Sequence, residues 1–570
     1  MKGREAALMR WSRRGFLRTT VSAATALCVS RGTAVAEPNP SADDTPGNLP
    51  LPLNPLRLEP VDLRRFIRLG VEHIYRGAID PRLGHLPYVR FVLTDGPGYS
   101  NHEYWGSPHM EGRFLDALSR CGEVVDVPCD EEAVNALRAL VHNSLDNSWG
   151  LPLWNLPDQD GKKCGNMHDC REVLLGLVGL ARWKKCERSL ELARNLVRAM
   201  DKATSETGGY PSSLLFMDGW RLPPEPGIVN YTCGRAIGAL TDYYRFTKDE
   251  LALGLAKRFA GHCVKNAFTP EGDLSDGAGA HLHSSTGTMA SLLDLGVLTN
   301  DAHYVVFGRR LYDVFLKRYR SSFGWAKESK NPWPHRGEAN NTGDYIEAAL
   351  TLAQNGAPEY YLDAERFVRN GLLAAQIINT DWIVQSDAPD NEDMVYSRIR
   401  ERAVGGFAFT TPNGYHSYNT DLMGGALRAL CKTQQAAVRN EGEVLHINML
   451  FPVDTPEIAA TSQLPKAGAY EIHTQREGKL RIRLMEGVAK DEISLTINGQ
   501  PAVSYVEHGL LFVDALPSEA TVNLAFDLSN RHTTETPLGW ETCEIDWRGN
   551  TIVAMTPRQG PVTLYGALPS

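Results

Sequence analysis

The sequence has no Cys-x-x-Cys pair, no glycine-rich phosphate loop, no Gly-x-Ser-x-Gly elbow and no His-Glu-x-x-His helix. Redox-motif, nucleotide-binding, serine-hydrolase and zincin chemistry therefore lack their usual carriers. Basic residues are scarce beyond the N-terminus. Residues 1–36 hold seven of them against one acidic residue, which leaves 52 against 67 in the remainder, a net charge of −15. Such an acidic chain argues against a nucleic-acid partner, whose binding needs neutralised phosphates, and against an anionic membrane surface. Of the ten cysteines, Cys28 lies in the leader described next, so nine remain and at least one has no partner within the chain. Cys164 and Cys170 have poor zinc spacing, and no disulfide is assigned. What is present is ordinary globular material: 42% hydrophobic and 22% charged residues over 570 positions, with 11 Trp and 20 Tyr. That excludes collagenous, coiled-coil and largely disordered chains.

Ser12-Arg13-Arg14-Gly15-Phe16-Leu17 is a twin-arginine motif. A weakly apolar stretch from Thr19 to Ser30 follows, too short to span a membrane, and Ala34-Val35-Ala36 offers a small-residue cleavage site. Residues 1–36 therefore read as a signal peptide for twin-arginine export, and the expected location is periplasmic or secreted, with no membrane insertion after cleavage. The Pro-, Asn-, Asp- and Ser-rich residues 37–57 read as a linker.

From 58 to 440 the apolar period is helical, with about twelve candidate helices near 59–77, 109–122, 130–147, 168–183, 186–204, 231–247, 249–266, 284–298, 300–320, 342–355, 358–378 and 419–438. Four of them share a register. Leu190, Ala193, Arg194 and Leu196 correspond to Leu253, Ala256, Lys257 and Phe259, then to Val305, Gly308, Arg309 and Leu311, and to Tyr361, Ala364, Glu365 and Phe367. A small residue at a fixed place on an apolar face lets neighbouring helices approach closely, so stacked hairpins bury a continuous core. Loops 88–108, 148–167, 205–230, 268–283 and 321–341 are long and rich in Trp, Gly, His and Pro. Long ordered loops carry function, and they suit the mouth of a closed (α/α)6 toroid better than a regular open solenoid. After 441 the period becomes two, at Val444–Leu450, Lys479–Leu484, Glu492–Ile497, Gly509–Ala515, Thr521–Leu528, Thr542–Trp547 and Thr551–Ala554, with Asn498-Gly499 as a hairpin turn. The fold class is mainly α: a toroid over 58–440 followed by an all-β sandwich over 441–570.

The chemistry collects in the loops that enter helices. His102-Glu103-Tyr104-Trp105 precedes His109 and Arg113; Trp149, Trp154 and Asn155 lead to His168-Asp169; His281 and His283 flank Leu282. The richest run holds Glu328, Trp333, His335, Arg336, Glu338, Asn340, Asn341 and Asp344. Aromatic walls suit the C–H faces of sugar rings, and glycoside cleavage needs two carboxyl groups, one as acid and one as base or nucleophile. Glu328 and Asp344 are the first pair to consider. Structural roles compete: Asp344 as a helix N-terminal carboxylate, Glu347 as a hairpin clamp, Asp116 as an intrahelical partner of Arg113, and Trp183 and Trp220 as core. In an extended segment His281 and His283 would point to opposite sides, so one at most would face a ligand.

Asn230-Tyr231-Thr232-Cys233-Gly234-Arg235, His281-Leu282-His283-Ser284-Ser285-Thr286, Tyr360-Tyr361-Leu362-Asp363-Ala364-Glu365 with Arg369-Asn370-Gly371, and His446-Ile447-Asn448-Met449-Leu450-Phe451 resemble segments of glycoside hydrolase family 127, the beta-L-arabinofuranosidases, and its six-hairpin clan. The resemblance implies the toroid, the β-domain and a glycosidase. That family binds zinc through cysteines and a glutamate and uses a cysteine nucleophile. Here Thr342-Gly343-Asp344 stands roughly where its Glu-Thr-Cys would be, Thr420-Asp421 where its paired cysteines would be, and Gly234 where it has His. The cysteine–zinc mechanism does not carry over. Asp344 and Asp421 are expected to face one cavity, with Glu328 near the family's acid/base position.

The expected activity is cleavage of glycosidic bonds in plant- or algal-type poly- or oligosaccharides. Glu328 would act as proton donor and Asp344 or Asp421 as base or nucleophile. Trp105, His109, Arg113, Trp154, Asp169, Tyr231, His281, His283, His335, Arg336 and Asn341 would line the substrate. No cofactor or metal is assigned; calcium would suit the oxygen donors but nothing in the sequence requires it. Two alternatives remain open: a polysaccharide lyase acting on uronates through Tyr231, His281, Asn341 and Arg336, and a non-catalytic glycan-binding relative.

Overall fold

The computed structural model describes residues 59–566, apart from 95, 103–107, 157–161, 217, 221–226, 333, 392–393 and 561. The leader, the linker, Trp105 and Trp333 lie outside the described residues, as does the side chain of Trp154.

Twelve principal helices form the toroid: α1 (Leu63–Arg76), α2 (His109–Cys121), α3 (Glu131–Ser144), α4 (Asp169–Trp183), α5 (Glu187–Ala203), α6 (Arg235–Thr247), α7 (Glu250–Asn266), α8 (Leu282–Thr299), α9 (Ala302–Arg310), α10 (Ala339–Gln354), α11 (Tyr360–Phe367) and α12 (Leu422–Ala436). Each falls on one of the expected helical segments. The even-numbered helices touch in a closed cycle, α2 to α4 and onward to α12, which returns to α2. The odd-numbered helices pack outside them, α1 on α12, α3 on α2, α5 on α4, α7 on α6, α9 on α8 and α11 on α10. The solenoid alternative is excluded by this closure, and the fold is an (α/α)6 toroid.

Composition sorts the two rings. Outer helices carry one apolar stripe, as in α5, where Leu192, Leu196, Val197 and Met200 are buried and the charged residues face out. Inner helices are buried nearly all round and use small residues to crowd together. At the α2–α4 crossing a Cβ on Gly176 would lie 2.8 Å from the carbonyl oxygen of Gly112. The small residues of the shared register, Ala193, Ala256, Gly308 and Ala364, are all buried. Capping sets several outer helix starts. Asp62, Asp130, Asp249 and Asp301 accept backbone N–H groups at the beginnings of α1, α3, α7 and α9.

The C-terminal region begins at Val438, directly after α12. A five-stranded sheet (438–441, 444–447, 478–483, 510–516, 505–507) and a six-stranded sheet (453–454, 458–462, 469–474, 520–526, 493–497, 500–501) form the sandwich. Leu480, Ile482, Leu511 and Val513 of one and Tyr470, Ile472, Val522 and Leu524 of the other are buried at alternate positions. Asn498 and Gly499 both have positive φ, 51° and 76°, in the two-residue turn between Ile497 and Gln500. A third, three-stranded sheet (530–535, 543–548, 551–556) leans on the toroid. Asn370 there donates to the Asn550 carbonyl and accepts from the Ile552 N–H, both at 2.8 Å. Among the described residues no helix is long and apolar enough to cross a membrane.

Candidate active site

Because inner and outer helices alternate along the chain, all six inner helices run the same way and open their N-termini on one mouth. The long loops enter there, and the partial positive charge of six helix ends favours carboxylates. His109, Asp169, Leu282, Ala339 and Leu422 open α2, α4, α8, α10 and α12, so the predicted residues beside them are brought together.

The floor is an ionic and imidazole network. Glu172 of α4 is 1% exposed and meets three guanidiniums, Arg171 at 2.6 Å, Arg235 at 2.7 Å and Arg113 at 3.1 Å. Burial alone would push its carboxyl up, but the three cations hold it well below the usual range. Arg113 Nε donates to His109 Nε2 at 3.0 Å, and Arg235 donates to His168 Nε2. An arginine only donates, so both imidazoles accept there and carry their protons on Nδ1. Those N–H groups converge on Asp169 Oδ1, at 3.2 Å from His109 and 3.1 Å from His168. Burial, followed by the neighbouring arginines, lowers the pKa of both rings, so they are neutral. The His168 ring also stacks on Tyr231, with centroids 4.0 Å apart.

His283 and Asp344 form the next tier. Arg113 Nη2 lies 3.4 Å from His283 Nε2, so His283 Nδ1–H is the group that donates to Asp344 Oδ2, at 2.7 Å. Thr286 donates to the same oxygen at 2.6 Å. Burial dominates here, and the Asp344 carboxyl is pushed up to about 8 against the pull of the Thr286 bond. The sign for stability follows from linkage. The native carboxyl keeps its proton to about pH 8, while the unfolded one loses it near ~4, so this contribution is present in acid and is lost as pH rises between those values. Asp344→Asn, neutral throughout, should melt with a weaker pH dependence from 5 to 8 and gain most on the wild type at pH 8. A difference in melting temperature that is constant over that range would refute the assignment.

In the third tier Asp421 and His281 keep accessible surface, while Glu338 and Asn340 are buried. Asn340 Nδ2 donates to Glu338 Oε1 at 2.8 Å and to Asp421 Oδ2 at 3.3 Å. Asp421 keeps 16% of its side-chain surface accessible, and its backbone carbonyl accepts from Arg113 at 3.0 Å. Burial pushes its carboxyl up, against Arg113 and with Glu338, to about 6. Glu338 moves the other way. Its burial is outweighed by His281, whose Nε2 lies 3.4 Å from Oε2, and by Asn340, so the carboxyl sits below its usual value. One amide thus bridges two carboxyl groups with opposite shifts, and the bonded oxygens are no more than about 6 Å apart. Glu328 lies on the loop beside His281, its carbonyl accepting from Leu282 N–H at 2.8 Å. Arg336 grips both Glu328 oxygens and lies over the Phe409 ring, 3.6 Å from its centroid.

Most predicted residues therefore meet: His109, Arg113, Asp169, Tyr231, His281, His283, Asp344 and Asp421 in the network, with Glu328 and Arg336 beside it. Asn341 turns away, donating to the Lys327 carbonyl at 2.6 Å, and His335 stacks on Trp540, in the loop that joins the first two strands of the third sheet. His281 and His283 do not lie in an extended segment: the helix begins between them, and their rings stand 5.8 Å apart on the same side. His283 is buried, and His281 is the accessible one at 38%. Asp116 pairs with Arg120 and Arg428 rather than Arg113, and Glu347 clamps Arg428 and Lys432. Glu172, Arg235 and Glu338 are site residues to which the sequence reading assigns no role, although Glu338 stands in the run from Glu328 to Asp344. For Glu172 the three-residue step from Asp169 on one helix face is the available signal, whereas Arg235 has no such local pattern.

Metal chemistry can be tested against the donors. His109, His168 and Asp169 bring ligand atoms within 4.8 Å of one another. Yet both imidazole Nε2 atoms are taken by guanidiniums and both Nδ1 protons by Asp169, so a cation would have to displace two protons between two arginines. Thiolate ligands are missing from the cluster among the described residues. Cys170 turns to the Asn166 carbonyl, and Cys121 and Cys431 lie against each other elsewhere, with sulfurs 3.7 Å apart. The residues do not fit the zinc–thiolate site of the family the sequence resembles.

The catalytic-domain model of the glycoside hydrolase family 127 beta-L-arabinofuranosidases matches residues 187–375, which bears out the resemblance over α5 to α11. No curated protein matches the chain. Among solved structures, the family 127 beta-L-arabinofuranosidase of Geobacillus stearothermophilus T6 is similar at 11% identity and a TM-score of 0.52, covering 86% of this chain and 80% of its own. Another family 127 beta-arabinofuranosidase is similar at 12% identity and a TM-score of 0.57, over 86% and 78%. A third structure, described as a glycoside hydrolase, gives 13% and 0.53 over 84% of each chain. These similarities support the toroid with its β-rich C-terminal region.

Proposed function

We propose that this chain is an exported glycoside hydrolase that cleaves plant- or algal-type oligosaccharides with carboxyl groups alone. One observation carries the reading: Asp421 and Glu338, bridged by Asn340 at the mouth of the toroid, have carboxyl groups pushed in opposite directions. A pair set apart in this way assigns acid and base between its members. Asp421, able to hold a proton near neutrality and partly open to solvent, protonates the glycosidic oxygen. Glu338, kept ionised, attacks the anomeric carbon or activates water. Glu328 was the first choice for proton donor in the sequence; both of its oxygens are held by Arg336, and it orients the sugar instead. Asp344 holds His283, and His281 and Tyr231 line the accessible side. The family match over residues 187–375 supports the reaction class. The twin-arginine leader supports export, with the mature chain starting at Glu37.

The test is mass spectrometry of products after incubation with neutral and uronate-containing oligosaccharides in heavy-oxygen water. One heavy oxygen at the newly formed end is expected. Products without added water and with an unsaturated terminal sugar would replace the proposal with a lyase. Binding without turnover, unaffected by substitution of Asp421, Glu338 and Glu328, would replace it with a glycan-binding protein.

A further inference from the structure

The ring of inner helices has one seam. Five of its six contacts join inner helices in chain order, and the sixth, between α12 and α2, joins the two ends of the series. At the mouth, Arg113 of α2 crosses the seam to the Asp421 carbonyl at 3.0 Å, where α12 begins. Deeper in, Arg428 of α12 reaches Asp116 of α2 at 3.5 Å. At the far end two thiols meet. Cys121 of α2 and Cys431 of α12 are buried, with their sulfurs 3.7 Å apart.

Both helices run the same way, so the sulfurs lie about 12–15 Å further down the ring than Arg113 and Asp421. Because the two helices already pack side by side, bringing the sulfurs from contact to a bond takes side-chain rotation rather than helix movement. The thiols are quiet while covered: the contact with Cys431, and then burial, hold Cys121 well above its usual pKa. Their cover is thin. Cys121 is the last residue of α2, and Gly122 and Glu123 beyond it are exposed. A helix end opens locally at far less cost than the whole fold, and a frayed last turn admits a small oxidant.

We propose that Cys121 and Cys431 are a site of oxidative modification, where hydrogen peroxide converts the two thiols to a disulfide that closes the toroid covalently across its seam. The Cys121 thiolate, its proton lost to solvent, attacks one peroxide oxygen. The O–O bond breaks, Cys121 becomes a sulfenic acid, and the other oxygen leaves as water. The Cys431 sulfur then displaces the sulfenic oxygen, which leaves as a second water. Two thiols and one peroxide thus give one disulfide and two waters. The bond spans 310 residues of chain, and closing so long a loop restricts the unfolded ensemble strongly. None of this depends on the chain acting on glycans.

The full chain, reduced and then exposed to hydrogen peroxide, is alkylated in denaturant, digested and read by mass spectrometry. Two fewer alkylated cysteines than in the reduced control are expected, with a peptide that links Cys121 to Cys431. The oxidised chain should melt about 3 °C or more above the reduced one. That gain should be lost on treatment with a phosphine reductant and be absent from Cys431→Ala. In the same variant dimedone should label Cys121, whose sulfenic acid has no second thiol to meet. Full alkylation of both cysteines after peroxide, linkage of either one to a different cysteine, no rise in melting temperature, or an unlabelled Cys121 in Cys431→Ala would each overturn the proposal. The linked peptide is read in the wild-type chain, so a variant that fails to fold does not decide the outcome.

Discussion

Asp421→Asn is expected to lower kcat on a natural oligosaccharide at least ~1000-fold while leaving substrate affinity within about threefold. General acid catalysis is worth two to four orders of magnitude, and the carboxamide keeps the shape of the group while removing its proton. The pH profile follows from the shift. Burial raises the Asp421 carboxyl to about 6, and the acid must be protonated to work, so wild-type kcat should fall as pH rises through about 6. That limb should vanish in the Asn variant. A substrate with an activated leaving group, such as a nitrophenyl glycoside, needs little protonation, so the variant should recover most of its rate on it. Glu338→Gln should fail on both kinds of substrate, since no leaving group replaces the base or nucleophile. The bonded oxygens lie no more than about 6 Å apart, and proton NMR of the first product anomer distinguishes the two roles of Glu338: retention for attack on the anomeric carbon, inversion for activation of water. Near-normal turnover of Asp421→Asn, or no rescue by the activated substrate, would remove Asp421 from the donor role and return Glu328 to it.

The roles of Asp421 and Glu338 also mark where sequence reading ended. The helical pattern was legible because each outer helix repeats an apolar stripe, and the small residues Ala193, Ala256, Gly308 and Ala364 announce close packing locally. The β-region was legible for the same reason, through period-two runs and the Asn498-Gly499 turn. The strands at 458–462 and 530–535 alternate only weakly and are not legible in the sequence. His109, Asp169, His283 and Asp344 could be named because loops entering one ring of helices must share a mouth. Which carboxyl holds a proton could not be read, because it depends on partners more than 50 residues distant: Asn340 for Asp421, and Arg113 and Arg235 for Glu172. Glu328 and Arg336, only eight residues apart, looked like a free acid beside a sugar ligand and form an ion pair instead.

The largest expected loss of stability is at Glu172. Its single accessible percent of surface, together with guanidiniums from Arg113, Arg171 and Arg235, makes it the anionic hub of α2, α4 and α6. Glu172→Gln preserves the shape but leaves three cations around a neutral amide. Breaking a buried pair from one side costs about 3–5 kcal/mol, and this site has three partners to strand. A urea midpoint lowered accordingly at pH 7, with an unchanged slope, is the expected result. The folded carboxyl sits well below its usual value, so its contribution is complete above the unfolded value near ~4.3 and is lost as pH falls toward the folded one. The gap between wild type and variant should hold constant from pH 5 to 8 and close in acid, opposite in sense to the Asp344 contribution. Adding Arg235→Gln removes one stranded cation, so the double variant should be less destabilised than the two single changes summed. A loss under about 1 kcal/mol, or strict additivity, would mean that the arginines find other partners. The tautomers of His109 and His168, which depend on the same guanidiniums, would then have to be reassigned.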